Sequence, residues 1–243
     1  MELDFKDKKL LYELDSNSRQ SIQQLARKIG LSKDAVKYRI NNLLKEGIIK
    51  SFNAVVDTGK LGFYSFRIFI KLYKTSPEKE REIISFLLEN KNLVWLVEVE
   101  GNWDINTWFL YRSIEEMNSF WEKLLVKYGD FIEKREFGIY SNVTYFRRTY
   151  LLDKKSNDFS MQIISLPKEA DLDDSEIKII EHLSKDARMS IIDLAEKTSL
   201  TSKTVINKIK KLEKEGIILG YRVEFDLSKL GYNKLLGKGE VKT

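Results

Sequence analysis

The chain has no cysteine, a single histidine and two prolines among 243 residues. Without cysteine it can form neither a disulfide nor a thiolate metal site, and one imidazole, His182, leaves it without the usual parts for zinc or acid–base chemistry. No apolar run approaches the roughly 18 residues of a membrane span. The first nine residues mix acids and bases instead of forming a basic-then-apolar leader. A cytoplasmic protein with no membrane partner is therefore expected. No GxxxxGK[ST] loop is present, so ATP use is not expected. These absences lead to an expectation of no metal, no cofactor, no catalytic residue and no enzyme activity.

What is present is a repeat. Residues 3–63 align with residues 172–232 at a constant offset of 169, without a gap, and 23 of the 61 positions are identical. They include Leu25 and Ala26 with Leu194 and Ala195, and Gly47–Ile49 with Gly216–Ile218. The offset is far longer than the roughly 20–50 residues of a solenoid period, so one folded unit is used twice around a different insert. The net charge of +5 is unevenly divided. The first copy has 12 Lys and Arg against 7 Asp and Glu, and the second has 11 against 11.

Each copy reads as three helices and a strand. Leu10, Leu11 and Leu14 lie at helical spacing. Ser21 with Gln24, and Ser190 with Asp193, have the spacing of a capping box, Gly30 ends the second helix, and Ser32 is an N-cap for the third. On a helical wheel Val36, Ile40 and Leu43 face inward, while Asp34, Tyr38, Asn41 and Lys45 cluster opposite with Lys37 on the flank. Amide and cationic side chains near a helix N-terminus are suited to base edges and phosphates. In the second copy Lys203, Lys210, Lys211 and Lys214 surround Asn207. A strand at Ile48–Val56 and a turn at Asp57–Gly59 read as a wing.

The run LARKIGLSKDAVKYRINNLLKEGIIKSF resembles the DNA-binding domain of the Lrp/AsnC family of regulators, through Gly30, Leu31, Ser32, Val36, Arg39, Ile40, Leu43, Gly47 and Ile48. The second copy, LAEKTSLTSKTVINKIKKLEKEGIILGY, is similar but has Ser199 in place of the turn glycine and Lys208 in place of the arginine. Ser199 should strain or reshape the turn if a positive φ is needed there. The resemblance implies a sequence-specific transcriptional regulator of double-stranded DNA. The candidate DNA-binding set is Ser32, Lys33, Lys37, Tyr38, Arg39 and Asn41 in copy one, and Ser202, Lys203, Asn207, Lys208 and Lys210 in copy two.

Between the copies, strands and amphipathic helices alternate in the order β-α-β-β-α-β, the ferredoxin-like arrangement. A further strand is expected at Val143–Leu151. The insert resembles the regulation-of-amino-acid-metabolism (RAM) domain of the same family, which implies a homodimer or higher oligomer and an amino-acid or other small effector. Within EVEGNWDINTW, Gly101 and Asp104 are the family-like positions, and with Asn102 and Trp103 they form the candidate effector site. The expected α+β layout is a winged helix-turn-helix at 1–63, a ferredoxin-like domain at 64–151, a linker at 152–171 that carries a second winged helix-turn-helix at 172–232, and a short tail at 233–243. Two alternatives share these parts. One is an architectural DNA-bridging protein. The other is a siroheme-decarboxylase-like enzyme, a class understood to use histidine in its sensor-like domain, whereas His182 lies in copy two, where its counterpart is Glu13.

Overall fold

Short polar caps start nearly every helix. Asp4, Ser21, Ser32, Ser76 and Ser113 accept backbone N–H bonds at the starts of the first five helices, and Asp173, Ser190 and Thr201 do so for the last three. The resulting elements, in a computed structural model that describes residues 3–152, 159–164 and 166–230, are α1 (Phe5–Ser16), α2 (Ile22–Ile29), α3 (Lys33–Lys45), β1 (Ile49–Val56), β2 (Tyr64–Leu72), α4 (Pro77–Leu88), β3 (Leu93–Glu98), β4 (Ile105–Tyr111), α5 (Ile114–Tyr128), β5 (Ile132–Ile139), β6 (Val143–Phe146), β7 (Phe159–Ile164), α6 (Asp174–Lys185), α7 (Ile191–Thr198), α8 (Ser202–Lys214) and β8 (Ile218–Phe225). The tail expected at 233–243, the last two residues of copy two, and residues 153–158 and 165 of the expected linker lie outside the described residues.

Among the described residues the chain forms two compact units. One holds residues 3–57, 144–152, 159–163 and 171–230, and the other holds 58–143, 164 and 166–170. In the first unit, Leu10, Leu14, Leu25, Val36 and Leu43 pack the core of copy one, and Ile179, Leu183, Leu194, Val205 and Leu212 pack that of copy two, each essentially inaccessible to water. Burial of each such side chain stabilises the fold by about 1.5–3 kcal/mol.

The copies were expected as separate domains joined by a linker, but they are zipped together. β1 pairs antiparallel with β8, from Ile49↔Phe225 through Asn53↔Arg222 to Val56↔Ile218, so each strand following a recognition helix finds its partner in the other copy. A lone strand leaves backbone donors and acceptors unpaired along both edges, and mutual pairing satisfies one edge of each. The turn expected to close a wing begins a 3₁₀ turn, Thr58–Leu61, instead. The pairing is pseudo-twofold. Ser18 N–H donates to Tyr221 O (2.8 Å) and Ala187 N–H to Phe52 O (2.7 Å), while Asp57 N–H donates to Ile217 O (3.0 Å) and Asp226 N–H to Ile48 O (2.9 Å). Arg19 donates to the carbonyls of Ala187 and Met189 and lies over the Tyr221 ring. Arg188 donates to those of Ser18 and Gln20 and lies over Phe52.

The segment expected as a linker also contains structure. β7 pairs with β6, and the expected strand at Val143–Leu151 stops at Phe146, ahead of a 3₁₀ turn at Thr149–Leu152. In the second unit, β2-α4-β3-β4-α5-β5 forms a four-stranded antiparallel sheet of order β3-β4-β2-β5. Phe66, Ile68, Ile70 and Phe109 on one face pack against Ile83, Leu87, Leu124 and Tyr128 of the helices. The opposite face presents Arg67, Phe69, Trp95 and Trp108.

Candidate nucleic-acid interface

The turn between α2 and α3 is set by backbone chemistry. Gly30 caps α2 in the left-handed region, with φ 75° and ψ 52°, where a Cβ is unfavourable. Ser199 holds the same conformation in copy two, with φ 56° and ψ 37°, so the position does need a positive φ and the serine carries the strain. Ser32 Oγ accepts from Ala35 N–H (3.1 Å) and starts α3. The start of α8 is capped by Thr201, which the sequence-level set omits although it is the 169-residue counterpart of Ser32. Ser202 is the first helical residue and is exposed.

With Val36, Ile40 and Leu43 buried, α3 exposes Lys33, Lys37, Tyr38 and Asn41, and Tyr38 is 67% accessible. With Val205, Ile209 and Leu212 buried, α8 exposes Ser202, Lys203, Asn207 and Lys210. A groove of about 590 Å³ runs beside α3 and brings Lys37, Asn41 and Lys50 of copy one to Lys185 and Arg188 of copy two. Asp186 is the carboxylate in its lining, and Lys50 is 3.7 Å from Asp226. An anion entering there meets mainly positive charge.

Two of the expected DNA contacts are turned inward. Arg39 Nη1 donates to Asp7 (2.6 Å) and lies 2.8 Å from Asp4, both at the start of α1. The Asp7 hydrogen bond raises the guanidinium pKa above its ordinary value, although burial opposes it. Lys208 does the same in copy two, bonding Asp173 and lying 3.7 Å from Glu176. That bond holds the Asp173 carboxyl well below the usual range. These residues brace the recognition helix against the first helix. Asp4/Asp173, Asp7/Glu176 and Arg39/Lys208 are aligned pairs, so the brace is written into both copies, a signal the repeat alignment could have supplied.

The candidate effector residues form one turn between β3 and β4. Gly101 has φ 117°, and its carbonyl accepts from Lys71 Nζ (3.3 Å). Asn102 is exposed, and Trp103 packs on Phe69 with ring centroids 5.7 Å apart. Asp104 accepts from Lys71 Nζ and from Leu72 N–H, both at 2.7 Å, which commits its two oxygens to β2. Among the described residues no group of three or more His, Cys, Asp or Glu could hold a metal ion, and no helix is long and apolar enough to cross a membrane.

These features agree with what the chain resembles. A family model for winged helix-turn-helix DNA-binding domains matches residues 3–50 and 172–218, one span in each copy. The HTH-type transcriptional regulator Ptr1 of Methanocaldococcus jannaschii is 32% identical over 118 residues, or 49% of this chain and 78% of that protein. The crystal structure of an AsnC family transcriptional regulator from Agrobacterium tumefaciens matches 60% of this chain and 95% of its own, with a TM-score of 0.53 at 20% identity. The siroheme decarboxylase NirDL matches the fold over 90% of this chain and 65% of its own, with a TM-score of 0.62 at 13% identity. The chain belongs to the HTH-type transcriptional regulators that carry winged helix-turn-helix DNA-binding domains, and it shares the fold of AsnC-type regulators.

Proposed function

We propose that this regulator grips double-stranded DNA with α3 and α8 together. The carrying observation is the β1–β8 pairing, which places two recognition helices in one compact unit. Lys33, Lys37, Tyr38 and Asn41 on one side, with Ser202, Lys203, Asn207 and Lys210 on the other, are the base- and phosphate-reaching side chains. Ser32 and Thr201 present helix N-termini to phosphate. Arg39 and Lys208 support them from behind. Fluorescence anisotropy on a random-sequence duplex tests the reading. Binding that weakens steeply with salt is expected, and Lys37→Ala should flatten the slope of log affinity against log salt by about 0.9. Salt-independent binding, or no binding at low salt, would overturn it.

The central unit serves as the assembly part, through the outer face of its sheet. Arg67 stacks 4.1 Å over Trp95, and burial lowers its pKa, yet its Nε has no partner among the described residues, and neither do Trp108 Nε1 and Asn106 Oδ1. Those atoms are sealed within the chain, and it is the half-buried Phe69, Trp95 and Trp108 rings on this face that a second copy would cover. A dimer is the expected species in sedimentation. A small effector, such as an amino acid, would act at the Gly101–Asp104 turn, where Asn102 is exposed, the Gly101 carbonyl accepts from Lys71 and Asp104 holds the turn in place. The Neisseria meningitidis regulator NMB0573, solved as an L-Met complex, shares this fold at 17% identity over 57% of this chain, with a TM-score of 0.51. The cytoplasm is the compartment for such a protein.

The likeness to NirDL keeps one enzymatic alternative testable. His182, the sole histidine, lies half-buried on α6 in the unit formed by the two copies, and the sheet of the central unit carries no histidine. An iron-porphyrin titration without a saturable Soret shift is expected, and 1:1 binding would support the decarboxylase reading.

A further inference from the structure

The pseudo-twofold relation between the copies is broken at one buried place. Asp15, with a side chain 1% accessible, accepts from Arg222 Nη2 (2.6 Å) and Nε (3.1 Å). Arg148 donates to the same carboxylate through Nη1 (2.9 Å) and to the Val223 carbonyl (3.2 Å). At an offset of 169 the symmetry-related positions are Ser184 for Asp15 and Asn53 for Arg222. One side of the interface therefore carries a buried charge pair, and the other carries two neutral residues.

We propose that this pair forces the N-terminal module to join the C-terminal one, so that the DNA-reading unit is always heterotypic and its target is a pair of unequal half-sites. Two N-terminal modules paired through the same surfaces would bury two carboxylates, each facing a neutral asparagine where Arg222 stands here and left with Arg148 as its one cation. Two C-terminal modules would bury two arginines with only serine opposite, and because Asn53 and Arg222 meet in the β1–β8 register, the two guanidinium groups would also lie side by side. A buried charge without its partner is strongly unfavourable, and fixing which partners associate is the best-attested use of such groups.

Heterotypic pairing matters because the two readers differ. Copy one has Lys37, Tyr38 and Asn41 where copy two has Ile206, Asn207 and Lys210. Lysine suits guanine, asparagine suits adenine, and an aliphatic side chain suits the thymine methyl. Different bases are therefore favoured on the two sides, and a palindrome would satisfy only one of them. This part rests on the DNA-binding reading above, whereas the pairing does not.

The absence of cysteine makes the pairing measurable in the full chain. A homotypic N-terminal pair would place Asn53 against Asn53, so Asn53→Cys reports it as a disulfide-linked dimer. With the charge pair intact no such dimer is expected, while Ser51→Cys with Glu224→Cys, partners in the register, should close a disulfide within one chain. Adding Asp15→Ser and Arg222→Asn, which makes the two sides alike, should let the 53–53 dimer appear. Equal 53–53 trapping with and without the pair would overturn the pairing claim. Because that variant could fail to fold, the unaltered protein supplies the second test. Selection from a random duplex pool should enrich two dissimilar half-sites, and palindromes of either half should bind at least tenfold more weakly. Enrichment of two identical half-sites within one adjacent pair would overturn the proposal, whereas an inverted repeat of the whole unequal pair is what a dimer through the central unit gives. Failure to retain any duplex would overturn the DNA-binding reading, and the operator claim with it, but not the trapping result.

Discussion

Replacing Arg39 with alanine separates a brace from a DNA contact. The guanidinium is one-quarter exposed, Asp7 is mostly buried and Asp4 is half exposed. Asp7 would keep one bond, from Asp4 N–H to Oδ2 (3.2 Å), and would lose the charged partner of Oδ1. A buried acceptor left unpaired costs about 1–3 kcal/mol, and the exposed Asp4 pair adds less than about 1 kcal/mol. A loss near 2 kcal/mol is expected, equivalent to a drop in melting temperature of about 4–8 °C for a unit of this size. Lys208→Ala should cost less, because Lys211 already bonds Glu176 at 2.9 Å. Thermal melting combined with a salt titration of duplex binding is the assay. Arg39→Ala should melt early and keep the wild-type salt slope, and Arg39→Lys should recover part of the stability. A variant that melts like the wild type and loses about 0.9 from the slope would show that Arg39 contacts phosphate.

Ser199→Gly should stabilise the protein by about 1 kcal/mol, because the left-handed backbone penalty of a side chain disappears. Gly30→Ala should destabilise it by about 1–2 kcal/mol, and urea midpoints check both. Asp173→Ala removes an N-cap and should cost about 0.5–2 kcal/mol. In acid, the carboxyls of Asp4, held low chiefly by Asp7 N–H, and of Asp173, held low chiefly by Lys208, have folded pKa values below their ordinary value of 3.8. Their contribution is therefore complete above that pH and is lost as pH falls through the folded values. Urea midpoints should fall below about pH 4, and less so in Asp4→Asn with Asp173→Asn. Trp95→Glu should convert the expected dimer to monomer in sedimentation without lowering the melting temperature of the helix-turn-helix unit.

Local signals in the sequence carried much of this architecture. Caps such as Ser21 with Gln24 and Ser32, and apolar positions at helical spacing, place α1–α3, and the offset of 169 then reproduces the bounds of α6–α8 and β8. Period-two alternation at Phe66, Ile68 and Ile70 marked the sheet face that packs on the helices. The pairing of β1 with β8 was not legible, because periodicity gives a strand its inward face and says nothing about a partner some 170 residues away. The direction of Arg39 is hidden within one copy and shows only when the aligned acids and bases of the two copies are compared. A helical wheel places its Cβ on a flank, but a long side chain goes where Asp4 and Asp7 draw it, and those lie 35 and 32 residues upstream. The 152–171 stretch, charged and ending near Pro167, has the composition of a connector, and only its pairing with β6 reveals a strand.

The central claim is that one pair of modules grips DNA with both recognition helices, and footprinting on a selected duplex tests it most directly. Two protected segments on the same face of the helix are expected, with centres about 10–10.5 base pairs apart or at a multiple of that spacing. Lys37→Ala should weaken one segment, and Lys210→Ala the other. A single protected segment that disappears with Lys37→Ala and is unaffected by Lys210→Ala would contradict the claim.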